Sequence, residues 1–163
     1  MSMVPIIMGS KSDLEHGEAI AKELSRFGIA SEIRVASAHK AARYLLELLA
    51  AYEADPRPKV YITIAGRSNA LSGLIDAHVA SPVIACPPYS DRYGGADIFS
   101  SLRMPSGVAP AVVLEPKGAA LLAAKVLALT DLMLRERVIA AQKEASEQIV
   151  ADDKALNKET GKS

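Results

Sequence analysis

The residues best suited to chemistry in this chain lie in short polar clusters, each directly after an apolar run. Gly9-Ser10-Lys11-Ser12-Asp13 offers hydroxyls and a carboxylate. If a helix begins there, its free backbone N–H groups and positive dipole end favour a phosphate or another anion. The same stretch also reads as a plain helix start, with Ser12 and Glu15 in the S-x-x-E spacing of a capping box and Asp13 adding favourable charge. Ser37-Ala38-His39-Lys40 carries an imidazole beside an ammonium. Histidine titrates near neutral pH and is the commonest general acid or base, so His39 is the candidate for moving a proton. Its structural alternative is to cap the helix that follows. Gly66-Arg67-Ser68-Asn69 supplies a guanidinium, a hydroxyl and an amide beside a glycine that allows close backbone approach, or else a solvated turn. Ser100, Ser101, Arg103, Ser106 and Gly107 form a further cluster, whose plain reading is an ordered loop without a ligand.

Other chemistries find less support. Neither G-x-x-x-x-G-K-[ST] nor G-x-G-x-x-G occurs, which argues against ATP- and NAD-type turns. Cys86 ends an apolar run with no charged neighbour in sequence, so it reads as a buried strand residue rather than a nucleophile. His16 and His78 fall inside helical stretches and read as structural. One cysteine and three histidines give no zinc spacing, and a metal site is not expected. The 19 Lys plus Arg balance the 19 Asp plus Glu, so the surface has no basic excess to suggest nucleic-acid binding. Without tryptophan, and with five tyrosines and two phenylalanines, little aromatic material is available for flavin stacking. The longest apolar stretch, residues 118–134, is broken by Lys125 and Asp131, and the N-terminus is too quickly interrupted for a signal peptide. A soluble cytoplasmic protein without membrane contact is expected.

These clusters need a scaffold that brings them together. At 163 residues, half of them apolar, the chain suits a single domain over residues 1–163. Strand-sized runs occur at residues 4–8, 32–35, 60–64, 82–86 and 111–114. Three of them are apolar at nearly every position, the pattern of strands covered on both faces in a parallel sheet. Helical periodicity predicts helices over residues 14–27, stopped by Gly28, and over residues 41–52, with Leu45, Leu48 and Leu49 inward. A short helix is predicted from residue 70 to about 79, and a long one from near 118 to about 142 or beyond. The connection at residues 87–110 is long enough to be functional or to hold a small helix over 96–104.

Alternating strands and helices predict a three-layer α/β fold around an open parallel sheet, flavodoxin-like or Rossmann-like. Residues 1–134 would form the core and residues 135–163 a helical extension. There Ile149, Val150 and Leu156 make a thin apolar stripe, which either lies in solvent or packs on a neighbouring subunit. In such sheets the ligand crevice lies beyond the carboxyl ends of the strands, so the polar clusters would converge on one edge. The residues thus predict a cofactor-free small-molecule site with phosphate affinity and one imidazole.

The strings MGSKSD at residues 8–13, SAHK at 37–40, AGRSNALSG at 65–73, IACPP at 84–88 and DIFSSLRMPSG at 97–107 resemble the phosphoribosylaminoimidazole carboxylase family of purine biosynthesis. The likeness spans about residues 8–134. It is closest to the second class of that family, which takes carbon dioxide directly. In the first class, which shifts a carboxylate from N5-carboxyaminoimidazole ribonucleotide, the corresponding loops resemble AGxAAHLPG and SAHR.

The resemblance implies reversible carboxylation of 5-aminoimidazole ribonucleotide, without ATP or biotin. It implies His39 as the catalytic residue and Ser10, Asp13 and Lys40 as contacts to the sugar and phosphate. Ser37, Gly66, Arg67, Ser68 and Ser101 are further candidates for lining the pocket, with Ala70, Leu71 and Gly73 around the carbon dioxide. It also implies a homo-oligomer, a tetramer or octamer. The rival readings are the mutase of the first class and a non-catalytic nucleotide-binding module; flavodoxin-type electron transfer ranks last.

Overall fold

Successive residues of a strand point to opposite faces of a sheet, and in this protein both faces are covered. The structure, a computed structural model, describes residues 1–159. Its strands are β1 (Met3–Met8), β2 (Ala30–Val35), β3 (Tyr61–Ile64), β4 (Val83–Ala85) and β5 (Ala111–Val112), all parallel, in the order β2-β1-β3-β4-β5. The helices are α1 (Leu14–Arg26), α2 (Ala42–Glu53), α3 (Ala70–Asp76), α4 (Phe99–Leu102), α5 (Pro116–Leu127) and α6 (Leu132–Glu159). A short 3-10 turn, Lys11–Asp13, precedes α1.

The alternation divides the core into two layers. Val4, Ile6, Met8, Ile62 and Ile64 face α1, α5 and the start of α6, where they meet Ile20, Leu24 and a row of alanines from Ala119 to Ala124. Met3, Ile7 and Tyr61 face the other way, toward Leu45, Leu48, Leu49 and Tyr52 of α2 and Leu71 and Ile75 of α3. The sheet is therefore the middle layer of three, as the apolar strand runs predict. Gly17 lets α1 lie close on β1, since a Cβ there would stand 3.0 Å from the Met8 sulfur. Gly28, at φ +71°, ends the helix: its N–H donates to Ser25 O and that of Ile29 to Leu24 O, a Schellman arrangement.

The C-terminal region differs from the pattern-based expectation. One long helix is predicted from near residue 118, but the structure contains two. The last turn of α5 tightens, with Leu129 N–H on Val126 O and Thr130 N–H on Leu127 O. The chain then restarts at Asp131, whose carboxylate accepts from Leu134 N–H at 2.9 Å. An aspartate inside an Ala/Leu-rich run is invisible to apolar periodicity, but it is a strong helix start when its carboxylate takes an orphan N–H. Asp131→Ala is accordingly expected to cost about 0.5–2 kcal/mol, read as a lowered urea midpoint with unchanged slope.

The first turns of α6 bury Leu134 and Val138 in the α1/α5 layer, and Arg137 donates to Phe27 O at 2.9 Å. Residues 142–158 are exposed throughout, Ile149, Val150 and Leu156 among them. The last residues of the expected extension, 160–163, lie outside the described residues. The connection after β4 also folds less regularly than expected. In place of a helix over 96–104 it has an irregular segment, Arg92–Ile98, where Tyr93, Gly94 and Gly95 take positive φ, and then only the single turn of α4.

Candidate functional site

Because every strand runs the same way, all the strand-to-helix loops that follow them emerge at one edge. Hydrogen bonds just beyond the strands lock them side by side. Ala36 N–H donates to Met8 O (2.9 Å), Gly9 N–H to Ile64 O (2.9 Å) and Cys86 N–H to Thr63 O (2.8 Å). The first loop therefore sits between the second and the third, with the fourth alongside.

In the first loop the Ser10 hydroxyl oxygen accepts from Ser12 N–H at 3.2 Å and from the Ser12 hydroxyl at 2.9 Å. This arrangement corrects the capping-box expectation. Ser12 is taken up in the 3-10 turn, and Asp13 occupies the cap position of α1 without a side-chain cap bond. The 3-10 turn runs directly into α1, Leu14 N–H donating to Lys11 O, so the N-terminus of the helical segment lies at Ser10, just beyond the end of β1. Asp13 is half-buried, and burial raises its carboxyl above the usual range, an effect partly offset by the Ser12 hydroxyl and the nearby His16.

The second loop is a turn held by Ser37, whose side-chain oxygen accepts from Lys40 N–H (3.2 Å) and whose carbonyl accepts from Ala41 N–H (2.9 Å). His39 and Lys40 project from it, both exposed. The capping role for His39 is not realised, because Ala41 occupies the cap of α2 without a side-chain bond. Among the described residues neither the Lys40 ammonium nor the Arg67 guanidinium makes an ion pair.

The third loop is strained. Arg67 has φ +58°, a left-handed conformation that costs a residue with a Cβ about 1–2 kcal/mol. Ser68 is exposed, and Asn69 is buried at the start of α3, where its side-chain oxygen accepts from Ser72 N–H at 3.2 Å. Gly66 lies against Pro88 of the fourth loop, 3.6 Å from where a Cβ would stand.

Among the sequence-derived candidates, Ser10, Asp13, Ser37, His39, Lys40, Gly66, Arg67 and Ser68 all sit on this edge in exposed or half-buried positions. Ser101 is the exception. At 2% exposure it lies behind the third loop, and its hydroxyl accepts from Asn69 Nδ2 at 2.9 Å. Of the residues expected around carbon dioxide, Leu71 is buried in the core. Ala70 and Gly73 line a recess of about 320 Å³ between α3 and residues 103–108.

Two arrangements escaped sequence reasoning, because they join residues far apart in the chain. Asp97 reaches back to Arg67, with its Oδ2 3.1 Å from that residue's N–H. His16, which reads as structural from sequence, places Nε2 3.3 Å from the Cys86 sulfur, across 70 residues. Burial holds His16 below its ordinary value, while Cys86, Asp13 and Glu115 act the other way. Burial, helped by Glu115, pushes the Cys86 thiol up to about 12. A thiol this fully protonated is a poor nucleophile. At pH 8 its alkylation by iodoacetamide is expected to run about three orders of magnitude slower than that of a free cysteine, rising on unfolding; rapid labelling of the native protein would contradict this.

Among the described residues no group of three or more His, Cys, Asp or Glu side chains is placed to hold a metal ion, and no helix is long and apolar enough to cross a membrane. Among the described residues the edge offers an exposed imidazole, three cations without an ion pair (Lys11, Lys40 and Arg67), several hydroxyls and a helical N-terminus. That combination can bind a phosphorylated small molecule and move one proton.

Comparison with known proteins shows the family and the fold. Residues 3–148 match the family described as AIR carboxylase. The phosphoribosylaminoimidazole carboxylase of Treponema denticola is 54% identical over 156 residues, covering 96% of this chain and 98% of that protein. The protein of the same name from Archaeoglobus fulgidus is 54% identical over 151 residues, covering 93% and 83%. The crystal structure of Treponema denticola PurE superposes with a TM-score of 0.94 at 54% identity, over 96% of this chain and 99% of that one.

Proposed function

The chain belongs to the AIR carboxylase family, and on that premise we propose that it carboxylates 5-aminoimidazole ribonucleotide with carbon dioxide, reversibly and without ATP or biotin, in purine biosynthesis. The observation that carries this reading is the exposed His39–Lys40 pair, on a turn ordered by Ser37, in the loop next to the helical N-terminus that begins at Ser10. The 5′-phosphate and sugar are assigned to Ser10, Asp13 and Lys40. Asp13 accepts from ribose hydroxyls, and Lys40 and Arg67 contribute the positive charge that a phosphate dianion requires. Ser37, Gly66 and Ser68 line the crevice, whereas Ser101 acts from behind by ordering Asn69.

The chemistry asks for little beyond positioning. Carbon 4 of the aminoimidazole is an enamine-like nucleophile, and held against carbon dioxide it forms the new C–C bond while one C=O electron pair moves onto oxygen to give the carboxylate. The carbon 4 proton then leaves to His39, its bonding pair returns to the ring, and aromaticity is restored. Decarboxylation runs the same path backwards, with His39 delivering the proton. Arg67-Ser68-Asn69, where the mutase class resembles AGxAAHLPG, supports carbon dioxide as donor over the N5-carboxylated ribonucleotide. The exposed residues of α6 support a symmetric homo-oligomer, a tetramer or octamer, in which the extension packs on a neighbour. We place the protein in the cytoplasm, acting without nucleic acid or membrane.

The deciding experiment follows ultraviolet absorbance of the protein with aminoimidazole ribonucleotide and carbon dioxide, without ATP, beside a reaction with the N5-carboxylated ribonucleotide. Turnover that needs carbon dioxide, with the N5 compound inert, is the expected result. Turnover of the N5 compound alone would make the protein a mutase, and turnover of neither would leave a nucleotide-binding module. Static light scattering at the mass of one chain would contradict the oligomer.

A further inference from the structure

We infer that Asp97 and Ser100 are positioning residues for this reaction: they hold Arg67 in its left-handed backbone conformation and thereby set where its guanidinium enters the cleft. The inference rests on the functional reading above and adds residues from the connection between β4 and β5.

Arg67 sits at φ +58°, where a glycine would sit at no cost. A turn that needed only this backbone would be served by glycine, and the residue before it is already Gly66. An arginine there gains nothing for the fold: its side chain is exposed and makes no ion pair among the described residues. Such a conformation persists only where its surroundings over-determine it.

The surroundings do so. Both main-chain polar groups of Arg67 are engaged, the N–H by Asp97 Oδ2 at 3.1 Å and the carbonyl by the Ser100 hydroxyl at 3.0 Å. Ser100 accepts from Asn69 N–H at 3.0 Å and also lies 2.8 Å from Asp97 O. Its single hydroxyl hydrogen is therefore shared between two carbonyls while a lone pair takes the amide, so one side chain ties three backbone groups together. Asn69 is fixed further by Ser101 and by its own cap on α3. The direction in which Cβ leaves the backbone follows from φ and ψ, so an Arg67 relaxed to negative φ would carry its guanidinium elsewhere.

The test uses steady-state kinetics of the full chain with aminoimidazole ribonucleotide and carbon dioxide, together with amide hydrogen exchange at Arg67. Asp97→Ala is expected to raise KM for the ribonucleotide about tenfold with kcat little changed, the size of one charge-assisted hydrogen bond. Asp97→Asn keeps an acceptor oxygen and is expected to restore most of the loss. Ser100→Ala should move KM in the same direction by less. Combined with Arg67→Ala, Asp97→Ala should add little, because both act through the same guanidinium. The Arg67 amide should be protected in the wild type and in Asp97→Asn, and exchange faster in Asp97→Ala. An unchanged KM in Asp97→Ala, full additivity with Arg67→Ala, or unchanged protection would each overturn the inference. A wild-type chain without carboxylation would refute the functional reading instead, and the exchange data would still decide whether Asp97 holds the loop.

Discussion

Replacing His39 with asparagine is expected to lower turnover by about 10²–10⁴-fold while the affinity for aminoimidazole ribonucleotide changes only a few-fold. Asparagine keeps a polar side chain of moderate size but cannot accept the carbon 4 proton, so carboxylation would stall before aromaticity returns. The fold has little stake in the imidazole, because His39 is exposed and Ala41, not the histidine, occupies the helix cap. On the proposed reading, binding is carried by Ser10, Asp13 and Lys40, which the substitution leaves in place. Single-turnover kinetics would report the chemical step, and titration calorimetry the affinity. Lost binding with undiminished turnover of bound substrate would remove His39 from the chemistry and make it a binding residue.

The largest effect on stability is expected at the centre of the sheet. Ile62 has no exposed surface, and β3 pairs on both sides, with Ile6 and Ile84 as its register partners. Its side chain belongs to the layer formed with Ile20, Leu24 and the alanines of α5. A strand clamped between two neighbours cannot move to fill a void, so Ile62→Ala should cost about 2–5 kcal/mol, the transfer loss plus an unrelaxed cavity. Against a typical total of about 5–15 kcal/mol, the variant is marginal at body temperature. Urea unfolding should show a lower midpoint with unchanged slope, and the remaining folded fraction should keep its kcat. A loss below about 1 kcal/mol would mean that the core repacks around this position.

Much of the scaffold was legible because burial is written locally. Residues 4–8 and 60–64 are apolar at nearly every position over a strand-sized length, the pattern of a strand covered on both faces. Leu45, Leu48 and Leu49 repeat at helical spacing, and all are buried on α2. Gly28 marks a helix end because φ +71° suits a residue without a Cβ. Local pattern fails where a polar residue chooses between two local partners. Ser12 joins the turn of Ser10 instead of capping with Glu15, and Asp131 splits an Ala/Leu run that periodicity reads as continuous.

From the sequence alone come the alternation of strands and helices, the two-faced sheet, and a candidate site of Ser10, Asp13, Ser37, His39, Lys40 and Arg67 at the ends of successive strands. These depend on residues a few positions apart, where spacing reports directly on facing and burial. Tertiary structure decided the rest. The strand order β2-β1-β3-β4-β5 selects the flavodoxin-like arrangement over the Rossmann-like one. That order carries Asp97 to the backbone of Arg67, sets His16 against Cys86, and withdraws Ser101 behind Asn69. Contacts across 30 to 70 residues leave no periodic trace, since they exist only once the sheet has fixed which loops are neighbours.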